Sequence, residues 1–101
     1  MTIALQGDYG KPRPALIIQS DLFCDHPSLT ILPITSEIRN TPLFRITVMP
    51  DTENKLKQPS QIMVDKPQTI AREKAGSRIG HVDDDIMLEV NRSLALFLGI
   101  A

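Results

Sequence analysis

Asp83-Asp84-Asp85-Ile86-Met87-Leu88-Glu89-Val90-Asn91-Arg92-Ser93-Leu94-Ala95-Leu96-Phe97-Leu98-Gly99 decides the fold class. Ile86, Met87, Val90, Leu94, Phe97 and Leu98 fall on one stripe of a helix with 3.6 residues per turn. Asp83 or Asp84 fits the N-cap, where a side-chain oxygen accepts an orphan backbone N–H. The three aspartates also suit the positive end of the helix dipole. Gly99 is placed to stop the helix. The chain therefore closes on one amphipathic helix, whose stripe covers a core or a subunit interface.

Working back toward the N-terminus, the remaining signals are those of strands. Thr2 to Gln6 reads as a strand, and Gln6-Gly7-Asp8-Tyr9-Gly10-Lys11-Pro12 as a loop stiffened at its exit by proline. Ala15-Leu16-Ile17-Ile18-Gln19 is nearly all apolar, which predicts a strand covered on both faces. Asp25-His26-Pro27-Ser28 is a turn. Leu29 to Ile34 is a strand in which Pro33 limits pairing or marks a bulge. Phe44, Ile46 and Val48 alternate as in a strand with one buried face. Met49 to Ser60 is polar and contains proline, which predicts a mobile connection. Gln61 to Val64 is a further strand, Pro67 to Ile70 a turn or short strand, and Glu73 to Arg78 a polar loop or short helical turn around Gly76. The sum is an α+β fold: a mostly antiparallel, strongly curved, small barrel-like sheet followed by one helix.

With 101 residues the chain suffices for one domain, residues 1–101, and not for two. A hydrophobic fraction of 42% and a charged fraction of 23% are those of an ordinary globular protein. Cys24 is the single cysteine, so an intrachain disulfide and a Cys-rich metal site are both excluded. That usage fits a reducing compartment. Met1 to Gln6 has neither the basic region nor the apolar run of a signal peptide. The longest apolar stretch, Leu94 to Leu98, is far short of a membrane span. The expectation is a cytoplasmic protein without a membrane partner. A net charge of -1 argues against indiscriminate nucleic-acid binding but leaves room for a local basic groove.

Several side chains have chemistry to offer, each beside a plainer reading. Arg13 sits between Pro12 and Pro14, which stiffen its backbone. A guanidinium there can hold a phosphate by two hydrogen bonds, or it is an exposed loop arginine. Thr35 and Ser36 can donate to a phosphate oxygen, or bond their own backbone in a turn. Asp65 can accept a proton as a general base, or form a turn before Lys66-Pro67. Tyr9 can stack on a base, or be exposed in its glycine loop. His26 and His81 have no metal-ligand spacing; His81 is expected to pair with the aspartates that follow it.

Three segments, in order, resemble the MazF/PemK/Kid toxin family. They are Gly10-Lys11-Pro12-Arg13-Pro14-Ala15-Leu16-Ile17-Ile18, then Pro33-Ile34-Thr35-Ser36, then Val64-Asp65-Lys66-Pro67-Gln68-Thr69-Ile70 followed by Arg78-Ile79-Gly80 and the terminal helix. The resemblance implies an SH3-like barrel and the toxin of a toxin–antitoxin pair. It further implies a homodimer that cuts single-stranded RNA at short preferred sequences, needs no metal or other cofactor, is neutralised by a cognate antitoxin, and meets operator DNA only through that antitoxin. It makes Arg13, Thr35 and Asp65 the catalytic residues, and Lys11, Ser36, Gln68, Thr69 and Tyr9 the RNA-binding ones. Gly7 to Lys11 and Met49 to Ser60 become the specificity loops. Two departures stand out: Met63 occupies the place of an arginine in the Kid-like branch, and the first strand is shorter than usual in the family. Arg72 and Arg78 are further basic residues available to a leaving oxygen. The competing expectations are a CcdB-like toxin that binds gyrase through its terminal helix without cutting RNA, and a degenerate toxin that retains only antitoxin binding.

Overall fold

The computed structural model describes residues 2–6, 13–23 and 25–100. The whole expected loop Gly7 to Lys11, with Tyr9 and Lys11, lies outside the described residues, as does Cys24. Seven strands precede one helix: β1 (Thr2–Gln6), β2 (Arg13–Ile17), β3 (Ser28–Thr35), β4 (Arg45–Val48), β5 (Ser60–Met63), β6 (Gln68–Ala71), β7 (Ala75–His81) and α1 (Asp84–Leu98).

All strand pairs are antiparallel, in the order β4-β5-β3-β2-β1-β7, with β6 also paired to β3. β3 is the hub. One of its edges takes β2, with Ala15 opposite Pro33 and Ile17 opposite Ile31. Its other edge takes β5 at Ile34 and Thr35, then β6 from Ser28 to Ile31. Pro33 thus sits between the two pairings, where its missing N–H costs no ladder bond. The α+β class is as the sequence predicts. The barrel is not: among the described residues β4 and β7 stay unpaired to each other, and the sheet is open.

Both faces of the sheet are covered at its centre. On one face Leu16, Leu32, Ile34, Ile46, Val48, Ile62, Val64 and Val82 pack with Met87 and Val90 of α1. On the other, Ala15, Leu29 and Ile31 pack with Ile17, Ile70 and Ala75. Successive residues Ala15 and Leu16 therefore bury opposite faces, which the unbroken apolar run requires. Each fully buried aliphatic side chain contributes about 1.5–3 kcal/mol. Asp83 caps α1 by accepting the Ile86 N–H at 2.8 Å. Gly99 ends it with a left-handed φ of 74°, donating back to the Leu96 carbonyl at 3.2 Å. Of the predicted stripe, Met87 and Val90 are buried, Ile86 and Leu94 half-buried, and Phe97 and Leu98 remain about half exposed.

Three sequence expectations are corrected. Residues 75–81 form β7 and not a loop, because β1 supplies a hydrogen-bonding partner and two irregularities of register absorb the uneven pattern of Ala75-Gly76-Ser77-Arg78-Ile79-Gly80-His81. Only residues 72–74 form a helical turn. The expected mobile connection from Met49 to Ser60 is instead a bonded loop built on Asn54, which is 1% exposed. His81 pairs with Glu53 at 3.1 Å and not with the aspartates that follow it, since the strand carries it to that loop.

Candidate functional site

At the end of the sheet where β2 begins and β3 ends lies a cleft of about 280 Å³. β2 brings Arg13 and Pro14 to it, β3 brings Ile34 and Thr35 with Ser36 following, β5 brings Ser60, β7 brings Ile79, and the loop before β5 brings Lys55, Leu56, Lys57 and Gln58. The register explains the first pairing. Ala15 lies opposite Pro33, so two residues further along the same ladder Arg13 comes level with Thr35. Sequence positions 22 apart therefore meet because two strands pair.

Arg13 is exposed, and among the described residues it has no ion-pair partner. A guanidinium carries five N–H donors in a fork that matches an anion such as phosphate. Thr35 Oγ1 accepts the Glu37 N–H at 3.1 Å. This is the turn of the plainer reading, yet it uses only an acceptor lone pair and leaves the hydroxyl proton free to donate. The turn is thus present, and it fixes the oxygen without using up the hydroxyl proton.

The corner after Thr35 is fastened from below. Gln61, buried at 4% exposure, lies opposite Thr35 on β5. Its Oε1 accepts the Arg39 N–H at 3.0 Å and its Nε2 donates to the Arg39 carbonyl at 2.9 Å. Arg45 donates to the Glu37 carbonyl at 3.0 Å. Arg39 also donates to the Glu37 carboxylate at 2.7 Å, and this hydrogen bond, aided by the positive charge, lowers the pKa of that exposed carboxyl from its ordinary value of 4.5.

A basic, hydroxyl-bearing cleft fits an anionic chain, and its ordered motifs match known proteins. Over residues 1–98 the sequence fits the family described as the PemK-like, MazF-like toxins of type II toxin–antitoxin systems. The chain belongs to this family. It is 41% identical over 101 residues to a probable endoribonuclease MazF of Mycolicibacterium smegmatis, covering 99% of this chain and 93% of that protein. It is 26% identical over 94 residues to the endoribonuclease EndoA of Bacillus subtilis, covering 92% and 81%. Among solved structures, the toxin MazF-mt6 of Mycobacterium tuberculosis superposes with a TM-score of 0.85 at 25% identity, covering 100% of this chain and 99% of the other. An endoribonuclease from a Mycobacterial species, solved in complex with its cognate antitoxin, superposes at 0.83 with 20% identity, covering 99% and 93%, and shares the fold.

For a MazF-like toxin, the other sequence-selected residues are distributed as follows. Asp65 does not line the cleft. It lies in the turn beyond β5, paired with Lys66 at 3.4 Å. It follows Gln61, the β5 partner of Thr35, by four residues, on the side away from the cleft end of β3. Gln68 and Thr69 pair with Ile31 and Thr30 on β3, in the same distant zone. Arg72 is occupied structurally, donating to the His26 carbonyl at 2.7 Å and the Phe23 carbonyl at 3.3 Å. Arg78 is exposed on β7 but does not border the cleft. Met63, at the position of the Kid-like arginine, receives the Arg45 guanidinium against its sulfur at 3.6 Å. A cation thus reaches Met63 from the adjacent strand. Lys55 and Lys57 are cleft residues that the sequence reading included only as part of a long polar stretch. Among the described residues no group of three His, Cys, Asp or Glu side chains is close enough to hold a metal ion. No described helix is long and apolar enough to cross a membrane.

Proposed function

We propose that this toxin is an endoribonuclease that cuts single-stranded RNA at short preferred sequences, using the RNA's own 2′-hydroxyl as nucleophile. The observation that carries the reading is the joint presence of Arg13 and Thr35 on one cleft, in a chain 41% identical to a probable endoribonuclease MazF. The 2′-oxygen bonds to the adjacent phosphorus and the bond to the next nucleotide's 5′-oxygen breaks. The products are a 2′,3′-cyclic phosphate and a 5′-hydroxyl. The nucleophile is already tethered beside its target, so proximity does much of the catalysis, and no metal is required to generate it. Arg13 offsets the charge that grows on the phosphorane oxygens. The Thr35 hydroxyl donates to one of them, and Ser36 adds a second hydroxyl.

Because Asp65 does not border the cleft, this reading gives it, with Gln68 and Thr69, a binding role at a nucleotide beside the cut in place of the general-base role that the family resemblance implies. Lys11 and Tyr9 retain their RNA-binding assignment from the sequence. In the same reading the toxin is a homodimer, is neutralised by a cognate antitoxin, and contacts operator DNA only through it. The exposed Leu96, Phe97, Leu98 and Ile100 at the end of α1 suit a protein partner.

The test is incubation of a long single-stranded RNA with purified protein in EDTA, with Arg13→Ala in parallel, followed by analysis of the new ends. Discrete cuts bearing 2′,3′-cyclic phosphates, lost in Arg13→Ala, are expected. Intact RNA after incubation with folded wild type rejects the nuclease reading and leaves gyrase binding as the activity to assay.

A further inference from the structure

Lys55 is, among the described residues, the non-glycine residue with a left-handed backbone, at φ 59°. A side chain at such an angle is strained, and the conformation persists only where its surroundings over-determine it. They do so here. Buried Asn54 accepts the N–H groups of Asp51 at 3.1 Å and Leu56 at 2.9 Å through Oδ1, and donates to the Met49 carbonyl at 2.9 Å. Asp51 Oδ1 accepts the N–H groups of Glu53 at 2.8 Å and Asn54 at 2.7 Å. The loop is then pressed onto β7. The His81 N–H donates to the Glu53 carbonyl at 3.0 Å, and a Cβ on Gly80 would meet the Asn54 carbonyl oxygen at 2.8 Å. Gly80 is therefore the gap into which this loop fits.

The effect of that construction is to set Lys55 on the wall of the cleft that holds Arg13, with Lys57 two residues on. A glycine would adopt the same backbone freely. What lysine adds is an ammonium on a residue of the same cleft as Arg13. Three cations, Arg13, Lys55 and Lys57, on one cleft exceed the need of a single phosphodiester, but successive phosphates of a nucleic-acid strand supply further anions.

We infer that Lys55 binds a backbone phosphate of the RNA strand adjacent to the one held by Arg13, and that the Asn54 loop exists to hold it there. The inference rests on the ribonuclease reading for its ligand. Its consequence is binding shared by ground and transition states, so its loss raises KM and leaves kcat unchanged. One fewer phosphate contact also flattens the salt dependence of affinity, by about 0.7 in the slope of log K against log salt for a single strand.

The experiment uses a single-stranded RNA oligonucleotide spanning a cut, and its analogue with a 2′-deoxy sugar at that cut, which binds without reacting. Wild type, Lys55→Gly and Lys55→Arg are compared. Lys55→Gly is expected to bind the analogue several-fold more weakly, with the flatter salt slope and a raised KM, while its thermal midpoint does not fall. Lys55→Arg is expected to restore affinity and slope. An unchanged slope and KM in Lys55→Gly overturn the inference. If wild type binds the analogue but leaves the all-ribose strand intact, the nuclease reading fails and the salt slope still decides Lys55. If wild type binds neither strand, both fall.

Discussion

The side-chain amide of Gln61 holds the backbone of Arg39 at both its N–H and its carbonyl, at 3.0 and 2.9 Å. A glutamine side chain here completes a bridge that no further strand supplies. It ties the segment after Thr35 to β5, and through it the corner carrying two of the cleft hydroxyls.

Gln61→Leu keeps the bulk and removes both hydrogen bonds from buried Gln61 to the backbone of exposed Arg39. The expected loss is about 1–3 kcal/mol of stability, read as a lower urea midpoint with an unchanged slope. Because the Thr35 corner loosens, kcat is expected to fall more than KM changes. A variant that is destabilised but retains full kcat would show that the clamp serves folding alone.

Replacing the cleft pair separates chemistry from structure. Arg13→Ala is expected to lower kcat by about 10²–10³, the range for loss of one donor to a developing oxyanion, with little effect on unfolding because Arg13 is exposed. Thr35→Ser should retain activity and Thr35→Val should not. Asp65→Asn, on the displaced turn, is expected to keep kcat within a few-fold while weakening binding of RNA long enough to reach it. A collapse of kcat in Asp65→Asn would place that carboxylate at the reacting atoms after all.

Acid should release the Glu37–Arg39 pair selectively. Its hydrogen bond to Arg39 depresses the folded-state pKa of Glu37 below 4.5. The pair therefore contributes fully above that ordinary value, and its contribution disappears as pH falls through the lower, folded one. Both side chains are largely exposed, so the effect on stability is small. A carbon-13 titration of the Glu37 carboxyl is expected to show a midpoint below 4.5 in wild type, moving upward in Arg39→Ala.

Asn54→Ala removes three hydrogen bonds from a side chain that is 1% exposed. A loss of about 1–3 kcal/mol is expected from the backbone groups left without partners. Gly80→Ala attacks the same loop from the opposite side and should loosen it through steric contact with Asn54. In both variants KM for RNA should rise while Arg13-dependent cleavage persists.

The helix, its Asp83 cap and its Gly99 stop were legible because each rests on local periodicity and capping chemistry. The central strands were legible because Ala15 to Ile18 and Leu29 to Ile34 are apolar runs. β7 was not, since a strand rich in glycine and polar residues takes its shape from β1 and carries no alternation of its own. Arg13 and Thr35 were legible as motifs, and their meeting follows from the β2–β3 register. Lys55 was legible only as one charge in a polar stretch: what singles it out is a backbone angle imposed by Asn54 and by strand residues 25 and 26 positions later. His81 was paired with neighbours in sequence when its partner, Glu53, is reached only through the fold.

The docking of the Asn54 loop on Gly80 and His81 sets an order in time. A chain emerging from the ribosome exposes Arg13 early, Thr35 next and Lys55 later, yet the support that aligns the last with the first two is β7. The cleft is complete only when about four-fifths of the chain has been made, so an unfinished chain carries Arg13 and Thr35 without the wall that Lys55 supplies. In the ribonuclease reading, synthesis itself thereby delays the hazard to the cell that makes it.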